Sequence, residues 1–302
     1  MAQKRVLAIH DVSCFGRCSL TVALPIISAA GAECTVLPTA VLSTHTGGFT
    51  GFTYRDLTGD LKPTVEHWKD LGLSFDCIYT GFLGSFEQID IVMDIIDALR
   101  GRDTKVVVDP VMADNGELYK VFSDDFPEGM RKLCGSADLI LPNITEASLL
   151  AGTEYSEGPH SVEFTEDALK RLSGICRGNV ILTGVNFDGG ALNSALESQR
   201  RVYVGAESAS GNYLGAAAYD AGTKETSYAL RPRIPGFYHG TGDVFGSAVV
   251  ASLANGKSLR KAAEIAVDYT SESIQRTRDA GTDVRFGVNF EAGLRKFSED
   301  VI

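Results

Sequence analysis

Short runs of β-branched and other apolar residues alternate with longer amphipathic stretches through the first 184 residues. Because parallel neighbouring strands need a long crossover, which is usually helical, this alternation predicts a mostly parallel sheet covered by helices. A helix is expected at 86–100, opened by a capping box of Ser85 and Gln88 and closed by Gly101. The predicted strands lie at 6–10, 34–39, 77–80, 105–109, 139–142 and 180–183.

The pattern changes after Gly184. Strand-like runs at 201–204, 213–218 and 225–230 follow one another through turns, and prolines interrupt the chain before two further helices. This predicts an antiparallel edge on the sheet. Since no repeat, low-complexity segment or polar linker marks a boundary, we expect one α/β domain spanning residues 1–302, a three-layer α/β/α sandwich.

Charge and cysteine usage narrow the choice of partners. The chain has 28 Lys and Arg against 39 Asp and Glu, a net charge of −11, which disfavours nucleic acid and anionic membrane surfaces. Its six cysteines are scattered without a CxxC pair, as in reduced cytosolic proteins. No run reaches the ~18 apolar residues of a membrane helix, and the first apolar run is too short for a signal peptide. We therefore expect a cytoplasmic protein without membrane or nucleic-acid partners.

The most informative segment is Gly240-Thr241-Gly242-Asp243, which directly precedes an apolar helical run. Glycines permit close approach of the backbone, and amides at a helix N-terminus favour phosphate. A carboxylate beside them can accept the proton of a hydroxyl group. An ordinary N-cap by Asp243 explains the same spacing equally well.

Two other phosphate-binding motifs are excluded in this region. A dinucleotide fingerprint fails because Phe245 occupies the third glycine position and the segment is near the C-terminus. A Walker A loop fails because Ala251 replaces its leading glycine, although Gly256-Lys257-Ser258 supplies the other end. The latter tripeptide is predicted to be a turn between helices.

The segment 240–243 resembles the anion-hole motif of the ribokinase superfamily, in its vitamin B6 kinase branch. Three more segments resemble that branch, in family order: DPVM at 109–112, PNxxE at 142–146 and ILTG at 181–184. The resemblance implies a ribokinase-like fold and an ATP-dependent kinase. It also implies that Asp243 is the general base and that residues 240–242 form the anion hole.

The same resemblance implies a nucleotide and metal site. It assigns ATP binding to Asn143, Glu146, Thr183 and Gly184, together with residue 241, and Mg²⁺ to Asp109 and Glu146. A monovalent cation is a further ion that it suggests. From spacing alone, Asp109 is equally well a turn residue, and Asn143 with Glu146 a capping-box helix start.

For the acceptor, residues 43–47 resemble the SNHTG segment of pyridoxal kinases, which implies that His45 and Thr46 bind substrate. Phe82 corresponds to an aromatic residue near the substrate ring, although a core phenylalanine is the ordinary interpretation. Asp11 and Ser13 resemble the DxS start of hydroxymethylpyrimidine kinases, and we count both among the substrate-binding residues. Those kinases carry cysteine at the position of the base, where this chain has an aspartate.

The function expected from this resemblance is phosphorylation of the 5′-hydroxymethyl group of pyridoxal, pyridoxine or pyridoxamine by a homodimer. One alternative is a hydroxymethylpyrimidine kinase of thiamine biosynthesis. The other is a non-catalytic ligand-binding protein on the same fold. The polar turn at 113–119, centred on Asn115-Gly116, is predicted to be a mobile flap over the phosphates.

Overall fold

A ten-stranded sheet forms the centre of the protein in the computed structural model, which describes residues 3–198, 200–208 and 210–302. The order of the strands is β10-β12-β11-β9-β8-β5-β4-β1-β2-β3, and β6 and β7 form a separate hairpin. The strands are β1 (Arg5–Ser13), β2 (Glu33–Leu42), β3 (Tyr54–Asp56), β4 (Cys77–Thr80), β5 (Lys105–Val108), β6 (Ala113–Asp114), β7 (Glu117–Leu118), β8 (Leu139–Ile140), β9 (Asn179–Phe187), β10 (Arg201–Val204), β11 (Tyr213–Asp220) and β12 (Glu225–Pro232).

Six adjacent strands of the sheet, from β2 through β1, β4, β5 and β8 to β9, pair in parallel. β11 pairs antiparallel with both β9 and β12, which confirms the antiparallel edge predicted after residue 184. β3 adds an antiparallel strand at the opposite edge, and the sequence did not predict it. All three of its residues are exposed, so they carry no apolar periodicity.

Helices cover both faces of this sheet. α2 to α7 pack on one face, and α1 with α8 to α10 packs on the other, which confirms the three-layer α/β/α sandwich. No helix within the described ranges is both long and apolar enough to cross a membrane. The helices are α1 (Leu20–Ala29), α2 (Thr58–Asp70), α3 (Phe86–Leu99), α4 (Phe126–Cys134), α5 (Ile144–Ala151), α6 (Val162–Ser173), α7 (Gly189–Glu197), α8 (Thr241–Ala254), α9 (Leu259–Asp279) and α10 (Leu294–Val301).

The start of α3 differs in one detail from the predicted capping box. The Ser85 hydroxyl accepts a hydrogen bond from the Gln88 amide at 3.2 Å, as expected. The Gln88 side chain instead accepts from the Gly84 amide and donates to the Thr39 carbonyl of β2. The predicted bond between the Gln88 side chain and the Ser85 amide is therefore wrong, because the buried side-chain amide of Gln88 bonds to the sheet instead. The helix ends at Leu99, one residue before the predicted end.

Candidate active site

Polar residues lie at the carboxyl ends of several parallel strands. Asp11 lies near the end of β1, Asp109 directly follows β5, and two residues separate Asn143 from the end of β8. Asn143 forms a bridge with Thr183 of β9, whose amide donates to the Pro142 carbonyl at 2.9 Å. Since parallel strands end at one edge of a sheet, the fold places these predicted site residues along a common edge, where ligands of open α/β sheets bind.

The N-terminus of α8 joins this edge. Gly240 is the N-cap residue and has a left-handed backbone with φ of 75°, so the helix begins at Thr241. The first amides of a helix have no partner within it, and here they belong to Thr241, Gly242 and Asp243. Asp243 is at the third helical position and does not cap the helix, so the N-cap interpretation of this residue is wrong. The loop therefore offers free amides and a carboxylate side by side.

Asp243 is half-buried as a residue, and its carboxyl group is desolvated by burial. Burial raises the pKa of Asp243 to about 7; the Ser19 amide opposes this shift, and the negative charge of Asp11 adds to it. A carboxylate with this pKa is able to accept a proton near neutral pH. The predicted base is therefore chemically suited to its role.

Asp109 is buried, and its surroundings disfavour its negative charge. Burial raises the pKa of Asp109 well above its ordinary value, and the charges of Glu146 and Asp243 raise it further. Because a nearby cation would reverse this effect, the position fits a magnesium site. Among the described residues, no three His, Cys, Asp or Glu side chains form a metal-binding group. Magnesium held here would thus complete its coordination with phosphate oxygens and water.

Asn143 and Glu146 form a capping box at the start of α5. The Glu146 amide donates to the Asn143 side chain, and the Asn143 amide donates to the Glu146 carboxylate, each at 2.9 Å. The other Glu146 oxygen accepts from the Met112 amide at 3.1 Å. The capping interpretation is therefore confirmed. Burial raises the pKa of Glu146 to about 8, and its direct contact with a metal stays a prediction.

The polar segment after residue 112 is a β-hairpin formed by β6 and β7 rather than a plain turn. Asn115 and Gly116 have φ of 51° and 82°, as the two-residue turns of tight hairpins require. The Asn143 side chain donates to the Ala113 carbonyl at 2.8 Å, and the Gly116 amide donates to the Thr145 hydroxyl at 2.9 Å. The hairpin is thus attached to the start of α5, and its closure over phosphates stays a prediction.

Asp11, a residue predicted to bind the acceptor, is buried and accepts two hydroxyl hydrogen bonds. The Ser13 hydroxyl donates to one carboxylate oxygen at 2.9 Å, and the Ser19 hydroxyl donates to the other at 2.5 Å. Burial raises the pKa of Asp11, and these hydroxyls oppose the shift. Ser19 was not predicted from the sequence, because a serine before a helix is ordinarily its N-cap.

His45 is buried, and both of its ring nitrogens are engaged. Nδ1 lies 3.1 Å from the Gly47 amide, and Nε2 lies 2.6 Å from the Arg285 carbonyl. The ring therefore fixes its loop to the C-terminal segment, which favours the structural interpretation of this histidine. Thr46 is exposed beside it, and Phe82 is half-buried with its ring 5.6 Å from that of Phe122.

A group of aromatic rings near this loop was also missed. Phe15 lies 5.0 Å from Phe286 between ring centroids, and Phe49 stacks on Phe286 at 6.3 Å. The Phe49 ring lies 4.9 Å from that of His45. Three separate segments supply these rings, so no local pattern could have indicated their contact.

Known proteins resemble this chain in sequence and in fold. The phosphomethylpyrimidine kinase family matches residues 24–287. A Bacteroides thetaiotaomicron protein described as a phosphomethylpyrimidine kinase, crystallised with pyridoxal, is 35% identical with a TM-score of 0.85, over 98% of this chain and 96% of that one. Pyridoxal kinase from Lactobacillus plantarum is 29% identical with a TM-score of 0.82, over 97% and 96%.

A further relative comes from thiamine metabolism. The thiamine biosynthesis bifunctional protein ThiED of Geobacter sulfurreducens is 30% identical over 207 residues, which are 68% of this chain and 36% of that protein. Relatives of this chain are thus named both for pyridoxal phosphorylation and for thiamine biosynthesis. The match at 24–287 spans most of the chain, and the protein therefore belongs to the phosphomethylpyrimidine kinase family.

Proposed function

We propose that this protein transfers the γ-phosphoryl group of ATP to the 5′-hydroxymethyl group of a B6 vitamer. The observation that carries the proposal is the placement of Asp243 in the first turn of α8, beside free amides and with its pKa raised to about 7. Phosphoryl transfer requires positioning and stabilisation of charge more than covalent chemistry by the protein. This loop supplies both, together with an acceptor for the proton.

In the proposed mechanism, Asp243 accepts the hydroxyl proton while the substrate oxygen attacks the γ-phosphorus in line. The new oxygen–phosphorus bond replaces the bond to the leaving ADP, whose oxygen retains the electron pair. The amides of residues 240–243 stabilise the transferring phosphoryl oxygens. Magnesium bound near Asp109 would offset the phosphate charge, and Glu146 would position that region through its hydrogen bonds to backbone amides.

The remaining residues divide between the two substrates. We assign nucleotide contacts to Asn143, Thr183 and Gly184; Gly184 is exposed and has φ of 76°. On the acceptor side, we assign substrate contacts to Asp11, Ser13, Thr46 and Phe82. The β6–β7 hairpin would cover the phosphates and exclude water.

A coupled ADP-release assay tests the substrate directly. We expect turnover with pyridoxal, pyridoxine or pyridoxamine, measured beside hydroxymethylpyrimidine at equal concentrations. Turnover of the pyrimidine alcohol alone would support the second candidate, a kinase of thiamine biosynthesis, which the family match and the bifunctional relative favour. Vitamer binding by calorimetry without any ADP release would instead indicate a non-catalytic binding protein.

The pH dependence of kcat should follow the Asp243 carboxyl group. Only the ionised form accepts a proton, so we expect kcat to fall as pH decreases through about 7, the pKa of this group. Initial rates at saturating substrates between pH 5.5 and 8.5 measure this decrease in kcat. Thermal unfolding over the same pH range controls for loss of fold. A kcat independent of pH down to 5.5 would contradict the assignment.

Three further features complete the proposal: a homodimer, a cytoplasmic location and activation by a monovalent cation. Their support is the family resemblance. Light scattering determines the oligomeric state, and comparison of potassium with sodium and a bulky organic cation determines the ion requirement.

A further inference from the structure

Segment 285–287, which follows α9, packs against a loop of the candidate acceptor site. This acceptor loop comprises residues 43–49. His45 Nε2 donates to the Arg285 carbonyl at 2.6 Å. A Cβ atom added to Gly48 would lie 3.1 Å from the Arg285 side chain, so the two chains are also in close van der Waals contact. One end of segment 285–287 is therefore fixed to the acceptor loop.

The other end of segment 285–287 contacts Arg17. The Phe286 carbonyl accepts from the Arg17 amide at 3.1 Å and from the Arg17 guanidinium at 3.4 Å. The guanidinium also donates to the Glu291 carboxylate at 2.5 Å. A Cβ atom added to Gly287 would lie 2.6 Å from the Arg17 Cβ and 2.8 Å from its amide nitrogen and its carbonyl oxygen. Hydrogen bonds and close packing therefore both hold Arg17 in place.

Arg17 also packs against the anion-hole loop, residues 240–243. Its carbonyl oxygen would lie 2.0 Å from a Cβ atom added to Gly240. Gly240 and Gly287 thus both approach Arg17 more closely than a residue with a side chain could. Because protein interiors are close-packed, a displacement of Arg17 must be taken up by its neighbours. One of these neighbours is the backbone of the anion-hole loop.

The acceptor loop and the anion-hole loop also touch each other directly. His239 immediately precedes the anion-hole loop, and a Cβ atom added to Gly47 would lie 2.7 Å from the His239 ring. That ring lies 5.1 Å from the ring of His45 between centroids. The two loops are therefore packed together, and segment 285–287 with Arg17 connects them a second time.

We propose that segment 285–287, together with Arg17, is a positioning element that fixes the acceptor loop relative to the anion-hole loop. The inference rests on the proposed function and deepens it. In that function the acceptor loop binds the alcohol, whose oxygen must be aligned with a phosphoryl group held by the amides of residues 240–243. Misplacement by about 1 Å can cost about 10²-fold in rate. The positioning element acts on the rate through the two loops and not through contact with the substrate.

Gly287→Ala tests the contact with Arg17. The added methyl group must displace Arg17, which lies against the anion-hole loop, so we expect kcat to fall roughly tenfold. The KM for the alcohol should change by less than about twofold, since the hydrogen bond from His45 to the Arg285 carbonyl remains. Gly281→Ala is the matched control, because Gly281 has φ of 62° but no atom lies within 4 Å of an added Cβ. It should keep wild-type kcat.

Substitutions of Arg17 test the same element with little effect on stability. The Arg17 and Glu291 side chains are 32% and 50% exposed, and exposed ion pairs contribute little to stability. Arg17→Met removes the charge and should lower kcat about fivefold, whereas Arg17→Lys keeps an ion pair and should stay within about twofold of wild type. Glu291→Gln should lower kcat as Arg17→Met does, and the double variant should lower it no further. Thermal unfolding of each variant controls for loss of fold.

Nitrogen-15 NMR provides a readout independent of turnover. The amide resonances of Gly240 and Gly242 report the position of the anion-hole loop, and they are measured without substrate or nucleotide. We expect both resonances to shift in Gly287→Ala and in Arg17→Met. They should keep their wild-type positions in Gly281→Ala.

Wild-type kcat or unshifted glycine resonances in Arg17→Met would overturn the proposal, whether or not Gly287→Ala folds. Equal losses of kcat in Gly287→Ala and Gly281→Ala would also overturn it, because backbone strain alone would then explain them. Wild-type protein that phosphorylates no vitamer would instead refute the proposed function. The NMR comparison would still decide in that case whether segment 285–287 positions the anion-hole loop.

Discussion

Replacement of Asp243 by asparagine is expected to lower kcat by about 10²- to 10⁴-fold, the usual contribution of a general base. Asparagine has the same shape but cannot accept the hydroxyl proton. The amides of the first turn of α8 remain, so binding of an ATP analogue should change by less than about threefold. Steady-state kinetics measure the first effect, and calorimetry measures the second.

Asp90→Asn is a suitable control for this variant. Asp90 is an exposed acid on α3, so its replacement alters the net charge equally without touching the sheet edge. Wild-type turnover is expected from it. Near-normal turnover by Asp243→Asn would exclude this carboxylate as the base, whatever the control shows.

Gly240→Ala is expected to have the second largest effect. Gly240 has φ of 75°, and an added Cβ would lie 2.0 Å from the Arg17 carbonyl oxygen. The anion-hole loop must therefore shift, and loss of one aligned donor commonly costs about 10²- to 10³-fold in kcat. Strain in the left-handed region should also lower the free energy of unfolding by about 1–3 kcal/mol. Steady-state kinetics and denaturant unfolding measure the two effects.

Gly256→Ala is the control, because it introduces backbone strain without the steric clash expected at Gly240. Gly256 follows the other end of α8, with φ of 78° and no atom within 4 Å of an added Cβ. We expect a loss of about 1 kcal/mol in stability and normal kcat. Equal losses of activity in the two glycine variants would show that contact with Arg17 is not the reason for Gly240.

The parallel sheet was predictable because its central strands are buried on both faces and consist largely of β-branched residues. Val6 and Ile9 of β1 and Val108 of β5 have no exposed surface, and such continuous apolar runs are visible in the sequence. β3 lacked any such pattern. The reciprocal capping box at Ser85 was wrong because the partner of Gln88 lies on β2, 49 residues away.

The candidate site likewise contains residues that the sequence could predict and contacts that it could not. Asp109, Asn143 and Asp243 lie within local motifs, and the fold brings their segments to the same sheet edge. The hydrogen bond from the Ser19 hydroxyl to Asp11 depends on a backbone conformation that the local sequence does not indicate. His45 was recognised from its neighbours in sequence, but the engagement of both ring nitrogens with backbone groups depends on tertiary structure.

The attachment of the β6–β7 hairpin to α5 has a mechanical consequence. The Glu146 carboxylate accepts from the Met112 amide, and the Asn143 side chain donates to the Ala113 carbonyl. The segment after β5 and the segment after β8 are therefore hydrogen-bonded to each other. Any lifting of the hairpin must either break these bonds or tilt the first turn of α5 with it. A movement of the hairpin would therefore also displace the start of α5, and the two segments would move together.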